Sequence, residues 1–145
     1  MIYSPDKPLR TAYITALQIA TGVGVFPDLV PKNIQTPTSY ILLTSQTKTR
    51  IAVAKPTASS NLSDNFGWLS SIVFDIQYFS PSGFSNPGAV DDIEQQIINV
   101  AETVEVPGWA IKSRVQVQSI PLPVNTPTNY INRRVLTYQH WIEKL

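Results

Sequence analysis

Between Trp68 and Phe79, the residues Ile72, Phe74, Ile76 and Tyr78 alternate with Val73, Asp75, Gln77 and Phe79. Alternation at period two puts the first set on one face of a strand. A strand with one strongly apolar face needs a covering layer. Two helical segments can supply it. Leu9, Ala12, Tyr13, Ala16, Leu17 and Ala20 recur at helical spacing, after Pro5 and Pro8. Proline is tolerated in a first turn, and Gly22 and Gly24 end the segment as left-handed caps do. The second stripe is Val90, Ile93, Ile97, Val100 or Ala101, and Val104. Asn86 or Ser85 can cap it, with Pro87 in its first turn. Asp91, Asp92 and Glu94 then fall near the positive end of its dipole. Pro107-Gly108 stops it.

The other segments read as strands and links. Val25–Pro37 reads as a connection, punctuated by Pro27, Pro31 and Pro37. Ser39–Thr44 and Thr49–Lys55 read as two strands of a hairpin across the polar stretch Ser45–Lys48. Pro56–Gly67 is a polar loop, and Ser80–Gly88 is a turn-rich link. In Ile111–Ile120, Val115 and Val117 alternate with Arg114, Gln116 and Gln118. Pro121–Asn129 is a second proline-rich excursion, and Asn132–Glu143 is the last strand. The order predicts one α+β domain over residues 1–145, with long loops near 56–67 and 121–129. Its mostly antiparallel or mixed sheet has about five strands, with two α-helices packed on one face.

Composition narrows the function. At 145 residues the chain suits one core rather than two. Lys plus Arg is 11 against 10 Asp plus Glu, a net charge of +1, where a groove-binding protein carries a clear basic excess. Cysteine is absent, which excludes disulfides, thiolate metal sites and a cysteine nucleophile. A single histidine, His140, leaves little for zinc binding or histidine-based catalysis. No apolar run approaches the roughly 20 residues of a membrane span. No basic start precedes an apolar segment, so the expected compartment is a cytoplasm. The expectation is a non-enzymatic protein without metal or cofactor.

Four stretches carry a resemblance. Gly22-Val23-Gly24-Val25-Phe26-Pro27-Asp28 follows the first helix. Thr36-Pro37-Thr38-Ser39-Tyr40-Ile41-Leu42-Leu43 enters the first strand. Ile72–Phe79 is the middle strand, and Arg134-Val135-Leu136-Thr137-Tyr138-Gln139-His140-Trp141 the closing one. In this order, over nearly the whole chain, they resemble the tail terminator (tail completion, head-tail joining) proteins of long-tailed bacteriophages. The resemblance implies a structural virion protein assembled in the host cytoplasm. It forms a ring, usually hexameric, at the head-proximal end of the tail. The ring caps the tail tube and meets a connector or neck protein. DNA passes through its lumen without sequence-specific binding, and no membrane, reaction or cofactor is involved. The alternatives are another neck or tail-tube ring protein, or a small non-viral binding module.

Candidate residues are therefore interface residues. Leu62, Phe66 and Trp68 are apolar anchors in or beside a polar loop, the pattern of interface hot spots. Pro123 and Asn125 lie in the second excursion, which proline stiffens before any docking. Arg50, Lys112, Arg114, Arg133 and Arg134 are the candidate cations. Lys112, Arg114, Arg133 and Arg134 can form a basic patch on neighbouring strands, facing phosphate or pairing with the acidic second helix of a neighbour. His140 reads as a packed or surface residue, because no second His, Cys or carboxylate cluster accompanies it. Asp75 reads as a solvent-face or interface carboxylate. Gly22-Val23-Gly24 follows a helix instead of opening one, the wrong context for a phosphate loop.

Overall fold

Pro5 opens the first helix, α1 (Asp6–Thr21), and Gly22 closes it in the left-handed conformation at φ 70°. The Gly22 N–H donates to Gln18 O at 3.1 Å. The structure is a computed structural model that describes residues 3–29, 39–52, 66–81 and 83–145. Leu9, Tyr13 and Leu17, in steps of four, form the fully buried line of α1. Ala12 and Ala16 pack beside it. Ala20, expected on the same stripe, is exposed. The next step of four falls on Thr21, whose hydroxyl donates back to Leu17 O at 2.6 Å.

The strands are β1 (Gly24–Pro27), β2 (Tyr40–Ala52), β3 (Phe66–Pro81), β4 (Trp109–Pro121), β5 (Val124–Asn125) and β6 (Asn129–Lys144). The second helix, α2 (Pro87–Thr103), comes between β3 and β4. The sheet runs β1-β2-β3-β6-β4, and β5 adds a short pairing to β6. Among the described residues only β1 and β2 run parallel, and the other pairs are antiparallel. The fold is α+β, as the periodicities predict, and its mixed sheet has six strands among the described residues where about five are expected.

Three local expectations change. The connection after α1 begins with strand β1, whose residues Gly24 to Pro27 pair with Tyr40 to Leu43. The expected hairpin at Ser45–Lys48 is one continuous strand, β2, with a register shift between Ser45 and Thr47. That stretch holds no Gly, Pro, Asn or Asp to reverse the chain, and the 16-residue β3 offers it a full-length partner. The excursion at 121–129 contains β5, with Val124 opposite Ile131 and Asn125 opposite Tyr130. Strand β3 begins at Phe66, so Phe66 and Gly67 leave the predicted loop. Leu62, with the rest of 53–65, lies outside the described residues.

Helix α2 starts at Pro87, and Asn86 Oδ1 accepts from the Ala89 N–H at 3.2 Å. Asp91, Asp92 and Glu94 therefore lie beyond the first turn, and the dipole reading of them does not hold. Val90, Ile93, Ile97, Val100 and Ala101 are its buried stripe.

Both helices cover the sheet face that carries Ile72, Phe74, Ile76, Leu136 and Ile142. Tyr13 meets Phe74 edge-on at 5.0 Å between centroids, and Phe74 meets Tyr138 at 5.8 Å. Such pairs add about 0.5–1.5 kcal/mol beyond the area they bury. Helix α1 packs over β1 and β2, whereas α2 packs over β3 and β6. Among the described residues the opposite sheet face carries no helix.

Candidate assembly surface

The cations separate before they can form one patch. Arg133 and Arg134 are consecutive on β6, so the pleat sends them to opposite faces. On the helix-free face, Arg133 donates Nε and Nη2 to Asp75 Oδ1 and Oδ2 at 3.0 and 2.8 Å. This two-pronged geometry holds both groups in place. Beside it, the Tyr40 hydroxyl donates to Gln77 Oε1 at 2.9 Å. Burial, followed by the Asp75 charge, raises the Tyr40 pKa. On the helix face, Arg134 Nη1 reaches Asp91 Oδ1 and Glu94 Oε2, each at 2.6 Å. Glu94 Oε1 also accepts from Ser119 Oγ at 2.9 Å, which ties α2 to β4.

Arg114 serves the other end of the same helix. Its guanidinium donates to Glu102 O and, at 2.7 Å, to Val104 O. A cation is favourable among the terminal carbonyls of a helix. Lys112 Nζ lies 3.7 Å from Glu143. These four cations thus find partners within their own chain. Arg50 sits on β2 opposite Trp68. The side chains of Arg50 and Phe66 fall outside the described ones.

Trp68 lies on the helix face, packs against the core and donates its indole N–H to Tyr3 O at 3.0 Å. It anchors the segment before α1. Pro123 and Asn125 are exposed at the end of the sheet where β5 folds back on β6. Leu122, Val124 and Phe84 are also exposed. A recess of 160 Å³ near Pro121 and Pro123 is bordered by Arg133 and Arg134, whose charges are already compensated.

His140 is fully buried beneath α1. Its Nδ1 is 3.3 Å from Ser70 O, a group that only accepts, so Nδ1 carries the hydrogen. Nε2 then accepts from the Tyr13 hydroxyl. Burial pushes the imidazole down to about 4, with the Arg114 charge a smaller cause. Burial also raises the Tyr13 hydroxyl. The pair works as a polar link inside the core. Among the described residues no three His, Asp or Glu side chains gather as a metal site.

The sheet edges supply the surface that residue patterning missed. Strand β4 is a terminal strand of 13 residues, and its outer side has no strand partner among the described residues. Val115 and Val117 on it are 53% and 59% exposed. Arg114, which alternates with them, turns to the end of α2 instead, and register shifts between Ile111 and Ser113 and between Gln116 and Gln118 flank this part of the strand. At the other side, β1 covers β2 only from Tyr40 to Leu43. The stretch Thr44–Ala52 has no partner on its outer side among the described residues. The second edge depends on β2 being one strand.

No family model matches the sequence, and a comparison with curated proteins finds no match. Solved structures do share the fold. A chain in the structure described as "Virion of native gene transfer agent (GTA) particle" superposes with TM-score 0.64 at 10% identity. The match covers 97% of this chain and 98% of that one. A second solved chain matches with TM-score 0.51 at 15% identity, over 94% of this chain and 95% of its own. At these identities the likeness is one of fold.

Proposed function

We propose that this chain is a non-catalytic structural protein of a phage-like virion. In that particle it is a tail terminator: a ring that caps the tail tube and joins it to the head or neck. The observation that carries the reading is the end-to-end match in fold to a chain of a gene transfer agent virion. The four stretches resembling the terminator family, in the same order along the chain, favour the terminator among virion roles. Two sheet edges on opposite sides of the chain, both without a strand partner among the described residues, also suit it. Unlike surfaces that join head to tail generate closed rings or open filaments. The partners would be further copies of this chain, the tail tube protein and a connector or neck protein. DNA would pass through the lumen.

The test is copy number per particle, by quantitative mass spectrometry of purified virions against the portal protein. One ring's worth of copies is expected. Copies on the order of hundreds would make it the tube protein, a filament in the same symmetry argument. Absence from particles would overturn the virion reading and favour a binding module. Within the particle, removal of 62–66 is expected to impair joining.

A further inference from the structure

The two unpaired edges differ in charge as well as position. Helix α2 lies toward β4, and Asp92, Glu102 and Glu105 are exposed along or just past it. Helix α1 lies toward β2, where Lys7 is exposed and Arg10 reaches Ser45. The unpaired stretch of β2 adds Lys48 and Arg50 and contains no acid. Acids thus predominate along α2, with Lys144 exposed near the start of β4, and the sequence of the unpaired β2 stretch is net basic, with Asp28 exposed beside it. Such sides attract each other and repel copies of themselves.

Strand directions agree with this. Strands β2 and β6 both run antiparallel to β3, and β4 runs antiparallel to β6. Strand β4 therefore points opposite to β2. If two copies stand side by side in the same sense, the β4 of one meets the β2 of the next as an antiparallel pair. Copies in a ring share one sense. The contact would extend the antiparallel ladder that already builds most of the sheet. Val115 is paired with Gln139 and Thr49 with Leu69, which places both on the helix-free face. Both are exposed.

We infer that the outer edge of β4 is a docking site for a second copy of this chain, and that Thr44–Ala52 of β2 is the segment that occupies it. The inference rests on the ring reading above and names the surface by which the ring joins. Closing the sheet in this way removes both free edges, which otherwise invite uncontrolled pairing.

The sequence contains no cysteine, so introduced thiols are the only ones present. The experiment compares V115C, T49C and the double variant under mild oxidation, on non-reducing gels, across a concentration series. Native mass spectrometry of the unmodified chain runs alongside. Three strand spacings, about 14 Å, separate β4 from β2 within a chain, beyond the about 7 Å that a disulfide spans. Every disulfide in the double variant is therefore between copies. The expected result is a ladder from the double variant, a V115C–T49C dimer from the mixed singles, and no dimer from either single alone. A self-dimer of V115C would overturn the inference in favour of two-fold β4 pairing. Rings in the native spectra without a ladder would overturn it and leave the ring reading standing. A chain that stays single at all concentrations and gives no ladder would overturn both.

Discussion

The Tyr13 hydroxyl donates to His140 Nε2, joining the middle of α1 to β6 inside the core. His140 passes its own hydrogen on to Ser70 O of β3. One helix and two strands are held by a chain of two polar contacts, in which each donor has one acceptor.

Acid should weaken the fold through this link. The folded imidazole titrates at about 4, against 6.5 for an ordinary histidine. The unfolded chain therefore takes up the proton first. Stability from this group is complete above about pH 6.5 and declines as pH falls toward 4, by up to about 3 kcal/mol. Denaturant midpoints between pH 7 and pH 4 should show this slope. In His140→Phe the slope over that window should flatten.

Tyr13→Phe keeps the ring against Phe74 and removes only the hydroxyl. His140 Nε2 is then a buried acceptor without a donor. The expected cost is about 1–3 kcal/mol, read from urea unfolding. The double variant Tyr13→Phe, His140→Phe should recover part of it.

Arg114→Ala removes the cation from the Glu102 and Val104 carbonyls. A loss of about 1–2 kcal/mol is expected, the range for charge-assisted helix-end contacts. Hydrogen exchange should quicken at the end of α2 and along β4, while α1 stays as protected as before.

Gly67→Ala should be destabilising out of proportion to one methyl. An added Cβ would meet Trp141 Nε1 at 2.8 Å and Glu143 Cγ at 3.1 Å. Shifting the indole costs about 1–3 kcal/mol. A change in tryptophan emission should accompany the drop in melting temperature.

Both helices and the central strand were legible because each carries one unbroken apolar period, as in Leu9, Tyr13 and Leu17 or Ile72, Phe74 and Ile76. Strand β2 was not. Its polar middle, Ser45–Lys48, resembles a turn in composition, and only the length of β3 decides that it stays extended. Strand β1 is too short to show a period in sequence. The inward turn of Arg114 also escaped, because an arginine beside valine reads as solvent-facing until a helix end lies within its reach. Of the candidate surface, the cations were visible as residue types but not as partners. Arg133 and Arg134 are neighbours in sequence yet serve Asp75 on one face and α2 on the other. Trp68, read from the sequence as an interface anchor, packs against the core and bonds Tyr3 of its own chain.

The hold of Arg114 on α2 bears on how fast copies could join. An outermost strand usually frays, and docking must first still that motion at an entropic cost. Here the strand is braced from behind, by its own arginine near the middle and by Glu94 through Ser119 toward its end. Much of the ordering is complete before any neighbour arrives. Joining would then be governed by how often two molecules meet in the right orientation, and a ring could form quickly once its first contacts are made.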